Sequence, residues 1–153
     1  MSQACNAKDD PRNRVVWIDR GWQPVEIGFC PSKAAWKHHA RSMGLKDLPY
    51  PTNAATSTRF TKPGADRVIV TLGKQADEPG RSRVEIAGLL CHEATHVWQA
   101  VREAMNDPGQ PSVEFEAYAM QAIFQGLYQA WLDTRAPPEL LARGATREVT
   151  TDG

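Results

Sequence analysis

The fold is decided by residues 82–105, which read SRVEIAGLLCHEATHVWQAVREAM. Ser82 and Glu85 have the spacing of a capping box, in which each side chain binds the other residue's backbone N–H at the start of a helix. The residues that follow predict one long amphipathic helix over 83–105. Its apolar positions recur with a period of about 3.6 residues, at Ile86, Leu89, Leu90, Val97, Trp98 and Val101.

This helix contains the pattern HExxH, formed by His92, Glu93 and His96. Residues four apart lie on one face of a helix, so both imidazoles can reach the same metal ion. Neutral imidazole is a good zinc ligand, and zinc lowers the pKa of a bound water toward about 7. Glu93 lies one residue further round the helix, where its carboxylate can take the proton of that water. The motif therefore predicts a hydrolytic Zn²⁺ site.

A catalytic zinc site usually has three protein ligands, so the two histidines leave this site incomplete. No histidine follows His96, and Gln99 and Arg102 stand where the metzincin pattern HExxHxxGxxH has Gly and His. The metzincin pattern is thereby excluded. The remaining source of a third zinc ligand is a carboxylate on the next helix, where Glu114 and Glu116 are both candidates.

The motif spacing resembles that of the thermolysin-like gluzincins, a family of zinc metallopeptidases. In that family HExxH is followed, after nineteen residues, by Glu-Ala. The matching positions here are His92, Glu93, His96, Glu116 and Ala117, within a stretch of about 40 residues. The resemblance implies a zincin-type core with a mixed sheet, the HExxH helix, and a second helix that donates Glu116 as the third zinc ligand.

The chain also departs from the thermolysin pattern. The Asp that follows the ligand Glu by four residues in the family is replaced by Met120, so a backbone carbonyl or Glu85 would have to orient the histidines. The family's downstream histidine, which stabilises the oxyanion, has no counterpart. Candidates for that role are Tyr118, Tyr128, Arg135, His38 and His39.

The activity implied by the resemblance is hydrolysis of peptide bonds, with Zn²⁺ as cofactor and a peptide or protein as substrate. Residues 67–72, which read RVIVTL, would form the sheet edge that binds an extended peptide as an added strand. The alternative is a non-catalytic zinc-binding domain that acts as a protein-interaction module, and a fourth ligand such as Cys91 or His38 would favour it. We also expect so small a domain to be encoded by a phage or prophage.

The rest of the chain predicts short elements around the HExxH helix. Residues rich in β-branched and aromatic types, separated by Gly and Pro, predict strands at 14–19, 25–30, 58–61 and 67–72. A helix is expected at 33–43, and a second long helix between Ser112 and Pro137. We therefore predict an α+β fold, a minimal zincin-like domain with a small, mostly antiparallel sheet. The predicted divisions are an N-terminal arm at 1–13, one domain at 14–136 and a tail at 137–153.

Composition limits the possible partners. The chain has 153 residues, the length of one domain, and its 18 Lys and Arg balance its 18 Asp and Glu. A protein that binds nucleic acid through phosphates normally has a basic excess, although a basic patch on one face is compatible with zero net charge. No apolar stretch is long enough to span a membrane, and three Cys favour a reducing compartment. We expect a cytoplasmic protein without nucleic-acid or membrane partners.

Overall fold

The computed structural model describes residues 10–18, 21–73 and 81–135. Within these ranges the chain forms four strands and three α-helices, together with a short 3-10 turn at Pro11–Asn13. In chain order the elements are β1 (Val16–Ile18), β2 (Glu26–Cys30), α1 (Lys33–Ser42), β3 (Ala55–Lys62), β4 (Ala65–Leu72), α2 (Arg83–Met105) and α3 (Val113–Arg135).

The strands form one mixed sheet in the order β1-β2-β4-β3. β1 pairs with β2 and β3 with β4 in antiparallel fashion, as the turns between them require, whereas β2 and β4 are parallel. The parallel pair arises because α1 and β3 intervene, so that the chain re-enters the sheet in the direction of β2. The predicted α+β class is confirmed, and the strands predicted at 14–19 and 25–30 correspond to the paired strands β1 and β2.

The sheet edge differs from the expected one. Residues 67–72 belong to β4, which lies between β2 and β3, so the prediction that RVIVTL forms the edge is wrong. The physical reason is burial on both faces, since Val68, Ile69 and Val70 point alternately to opposite sides and are all buried. The edge strand next to β4 is β3, whose sequence ATSTRFTK is polar and mostly half-buried or exposed, as suits an edge. β3 is also longer than predicted because it pairs with β4 along its whole length.

Helices cover both faces of the sheet. α2 and α3 pack on one face and α1 on the other, so the sheet separates the HExxH helix from α1. On the α2–α3 side the sheet contributes Val25, Ile27, Phe29, Val68, Val70 and Leu72. On the α1 side the core consists of Cys30, Ala35, Trp36, Phe60 and Ile69.

The helix that carries the motif begins and ends as its sequence predicts. Ser82 Oγ accepts from the Glu85 N–H at 3.1 Å, and Glu85 Oε2 accepts from the Ser82 N–H at 2.6 Å, which completes the capping box. α2 ends at Asn106, which has a left-handed backbone with φ of 49°. These caps fix the helical register, and the register decides which face the motif presents.

Part of the predicted N-terminal arm is described. Residues 11–13 form the 3-10 turn, and Ser32 Oγ, which caps α1, also donates to the Arg12 carbonyl. The remainder of the arm, residues 1–9, and the predicted tail lie outside the described residues. None of the described helices combines the length and the apolar composition that a bilayer crossing requires.

Substitution of two helical glycines by alanine should have opposite effects on stability. A Cβ added at Gly88 meets no atom within 4 Å, whereas a Cβ added at Gly126 lies 2.5 Å from Cγ2 of Ile18. We expect Gly88→Ala to raise the free energy of unfolding by about 0.5–1 kcal/mol through reduced backbone entropy. Gly126→Ala should lower it by about 1–3 kcal/mol because β1 must move. Urea unfolding of the two variants measures both changes, and shifts of the same sign would contradict the packing.

Candidate metal centre

The two motif histidines lie side by side on α2. His92 and His96 are both exposed, and their Nε2 atoms are 3.1 Å apart. Two nitrogens bound to one tetrahedral zinc at about 2.0–2.1 Å are separated by about 3.3 Å. In the absence of a metal, the same distance suits a hydrogen bond in which one Nε2–H donates to the other Nε2. The spacing of the two Nε2 atoms is therefore compatible with one shared ion and equally with a hydrogen bond between the imidazoles.

Gln99 contacts the second histidine from the following turn. His96 Nδ1 lies 3.1 Å from Gln99 Oε1. When Nδ1–H donates to this oxygen, Nε2 keeps the lone pair that binds a metal. The sequence predicted such a partner in Glu85 or a backbone carbonyl, but Glu85 accepts from Ser82 instead. The signal for Gln99 is its position three residues after His96 on the same helix.

The glutamate of the motif is buried between α2 and the edge strand. Glu93 is only 4% exposed, and Ser57 Oγ of β3 donates to its Oε2 at 2.6 Å. A buried carboxylate is costly unless it is hydrogen-bonded, so Ser57 both stabilises and orients this group. Because Ser57 lies 36 residues before Glu93, no local pattern could have identified it.

Glu116, the predicted third ligand, contacts a tryptophan. Trp98 Nε1 donates to Glu116 Oε1 at 2.7 Å, and Glu114 is exposed. Within the described ranges, no three His, Cys, Asp or Glu side chains come together as a metal site would need. The structure thus brings His92 and His96 together but does not bring either glutamate to them. The assignment of Glu116 as third ligand stays a prediction.

The hydrogen bond between Trp98 and Glu116 results from the packing of α2 on α3. Trp98 is buried, with its ring edge-on to Trp22 and Phe115. A buried indole N–H needs an acceptor, and Glu116 in the first turn of α3 supplies it.

Two adjacent cavities run along β3 and meet at the motif. One of about 650 Å³ extends past Gly88, and one of about 440 Å³ extends to Arg59. His92 and Glu93 line both of them, and so do Asn53, which precedes β3, and Ala55, the first residue of β3. We call the two cavities together the β3 groove. Its size suits several residues of a peptide, and the motif lies at its centre.

The residues considered for oxyanion stabilisation lie elsewhere. His38 and His39 are on α1, across the sheet from the motif, and His39 is buried against Trp17 and Phe60. These histidines do not reach the side chains of the motif. Three further candidates do not line the β3 groove, namely Tyr118, Tyr128 and Arg135.

Arg59 is a cation of the β3 groove that the sequence analysis did not consider. Its guanidinium donates to Asp66 at 2.6–3.2 Å and to Glu103 at 2.6 Å. The hydrogen bonds to Asp66 are the main reason that the pKa of Arg59 is raised. Because its N–H groups already bind two carboxylates, we do not assign Arg59 the oxyanion role.

Ser57→Ala should weaken the function of Glu93 without affecting the histidine pair. Loss of the 2.6 Å bond leaves a buried carboxylate oxygen without its donor. We expect any hydrolytic rate that depends on Glu93 to fall about tenfold, the equivalent of about 1–1.5 kcal/mol. Rates and zinc content of the variant are compared with those of Ser42→Ala, a control on α1. A loss of zinc instead of rate would contradict this role.

No protein-family model matches the chain, and no curated protein and no solved structure is significantly similar to it. The resemblance to gluzincins therefore depends on motif spacing alone.

Proposed function

We propose that this protein is a zinc-dependent peptidase of gluzincin type. The observation that carries the proposal is the arrangement of the motif side chains. The Nε2 atoms of His92 and His96 are 3.1 Å apart, and Glu93 is buried beside them in the β3 groove. If His92 and His96 were two unrelated surface histidines, the buried carboxylate beside them would have no explanation.

The side chains present fit a zinc ion in part. His92 and His96 would supply two ligands. Glu116, the proposed third ligand, is held by Trp98 away from the pair, so its carboxylate would have to leave Trp98 to reach the ion. A zinc ion held by these residues would contribute Lewis acidity, which polarises a carbonyl and activates water.

Glu93 moves the proton in the proposed reaction. Its carboxylate accepts a proton from the attacking water while the water oxygen bonds to the peptide carbonyl carbon. It then delivers that proton to the amide nitrogen as the C–N bond breaks, which gives a carboxylic acid and an amine that exchange the remaining proton with solvent. Ser57 holds Oε2 by its hydrogen bond, which leaves Oε1 for the water.

The substrate would bind along β3. Among the described residues this strand has a neighbour on one side only, and its other side borders the β3 groove. An extended peptide can add to such an edge through backbone hydrogen bonds, which places a scissile bond beside Glu93. The corrected position of the sheet edge therefore supports the peptidase proposal better than an edge at β4 would.

The non-catalytic zinc module has less support. A closed structural site needs four protein ligands and has no use for a buried glutamate. Of the two extra ligands considered, His38 lies across the sheet on α1. Cys91 is exposed and lies about 100° round the helix from His92, so it points away from the pair.

The test of the proposed function combines metal content with proteolysis. Purified protein should contain about one zinc per chain by mass spectrometry. It should cleave fluorescently labelled casein, lose that activity in 1,10-phenanthroline and regain it with added zinc. A protein that neither contains nor binds zinc would overturn the proposal. Zinc binding without cleavage of casein or of a peptide library would favour the interaction module.

A further inference from the structure

A second concave surface lies on the other side of the sheet. It is a cavity of about 530 Å³ between α1 and the loop of residues 46–52. We call it the basic cavity. It shares no lining residue with the β3 groove, and the sheet separates the two.

The basic cavity concentrates positive charge. Lys33, Lys37 and Arg41 follow one another at four-residue intervals along α1, and Lys46 approaches from the loop. These side chains are exposed, and the ion pairs formed within the described ranges involve other residues. Asp47 is the acidic side chain among the lining residues, so four cations minus one anion leave an excess of three charges. In a chain of zero net charge this excess is a local feature.

The cavity is preformed because its loop is fixed to the core. Trp36 Nε1 donates to the Leu48 carbonyl at 3.2 Å, and the Trp36 ring is edge-on to Tyr50 at 6.0 Å. Tyr50 OH donates to the Leu72 carbonyl of β4 at 2.7 Å. Burial raises the pKa of Tyr50 to about 12, so the phenol stays neutral and does not offset the cations. The loop also provides an apolar wall through Leu48, Pro49 and Pro51.

We propose that the basic cavity binds a nucleoside polyphosphate. Phosphoryl oxygens suit the α1 cations, which form charge-assisted hydrogen bonds with them. A flat, largely apolar base suits the wall that the loop presents opposite α1. The cavity volume lies in the range of small-molecule sites. The cations are concentrated at one pocket of a chain whose net charge is zero. This favours a compact ligand, because a nucleic-acid strand would need positive charge along a longer surface.

Isothermal titration with ATP, without added divalent metal, tests this proposal. ATP should bind more tightly than inorganic pyrophosphate, and adenosine more weakly than either, because the cations supply most of the affinity. Charge reversal in Lys37→Glu/Arg41→Glu should weaken ATP binding at least about tenfold. The neutral pair Lys37→Gln/Arg41→Gln should have a smaller effect in the same direction. Thermal unfolding verifies that each variant is folded.

The matched control is Lys62→Glu/Arg83→Glu, which changes the net charge equally at exposed residues outside the cavity. It should alter ATP affinity less than about twofold. An equal loss in this control, or no ATP binding up to about 5 mM, would overturn the proposal. Binding of a twelve-nucleotide oligothymidylate to the same cations about tenfold more tightly than ATP would also overturn the proposal. His96→Ala should bind ATP like the wild type, which separates this inference from the peptidase proposal.

Discussion

Glu93→Gln is expected to abolish nearly all peptide hydrolysis while zinc stays bound. The amide has almost the same shape as the carboxylate and can still accept from Ser57, whose Oγ lies 2.6 Å from Oε2 in the wild type. It cannot take a proton from water, and the loss of a general base costs about 10²–10⁴-fold in rate. Initial rates on labelled casein and zinc content of the same preparation give both quantities.

The control for this variant is Glu114→Gln. Glu114 is also a helical glutamate, but it is exposed and does not line the β3 groove. It should keep the wild-type rate. If Glu93→Gln were to keep more than about a tenth of that rate, Glu93 would not be the general base. If it lost zinc, Glu93 would have to be reconsidered as a ligand.

Removal of either motif histidine should release the metal. In His96→Ala or His92→Ala one of the paired Nε2 atoms is gone, and we expect zinc affinity to fall by at least about 10²–10³-fold. Competition with a chromophoric chelator measures the affinity. His38→Ala is the matched control, since it removes an exposed histidine on the far side of the sheet. Equal losses in all three variants would indicate non-specific zinc binding.

The same competition titration identifies the third zinc ligand. Glu116→Gln should lower zinc affinity nearly as much as loss of a histidine if Glu116 completes the site, whereas Glu114→Gln should leave it unchanged. The opposite pattern would transfer the role to Glu114.

The helices and the motif that they carry could be predicted from local sequence patterns. Helical hydrogen bonds and caps join residues a few positions apart, so SRVEIAGLLCHEATH already specifies the start of α2 and its register. The same register brings Nε2 of His92 next to Nε2 of His96. The α+β class followed from the order of strand-like and helix-like segments. Gln99 could also have been predicted as the partner of His96, because the two residues are three positions apart on the helix.

The order of the strands and the partners of the buried groups depend on contacts between segments that are distant in the sequence. Strand order depends on which apolar runs can be buried on both faces, and this placed β4 inside the sheet and β3 at its edge. The bond from Ser57 to Glu93 spans 36 residues, and that from Trp98 to Glu116 joins two helices. The basic cavity likewise requires a loop folded against α1. Such contacts arise from packing between distant segments, which local periodicity does not encode.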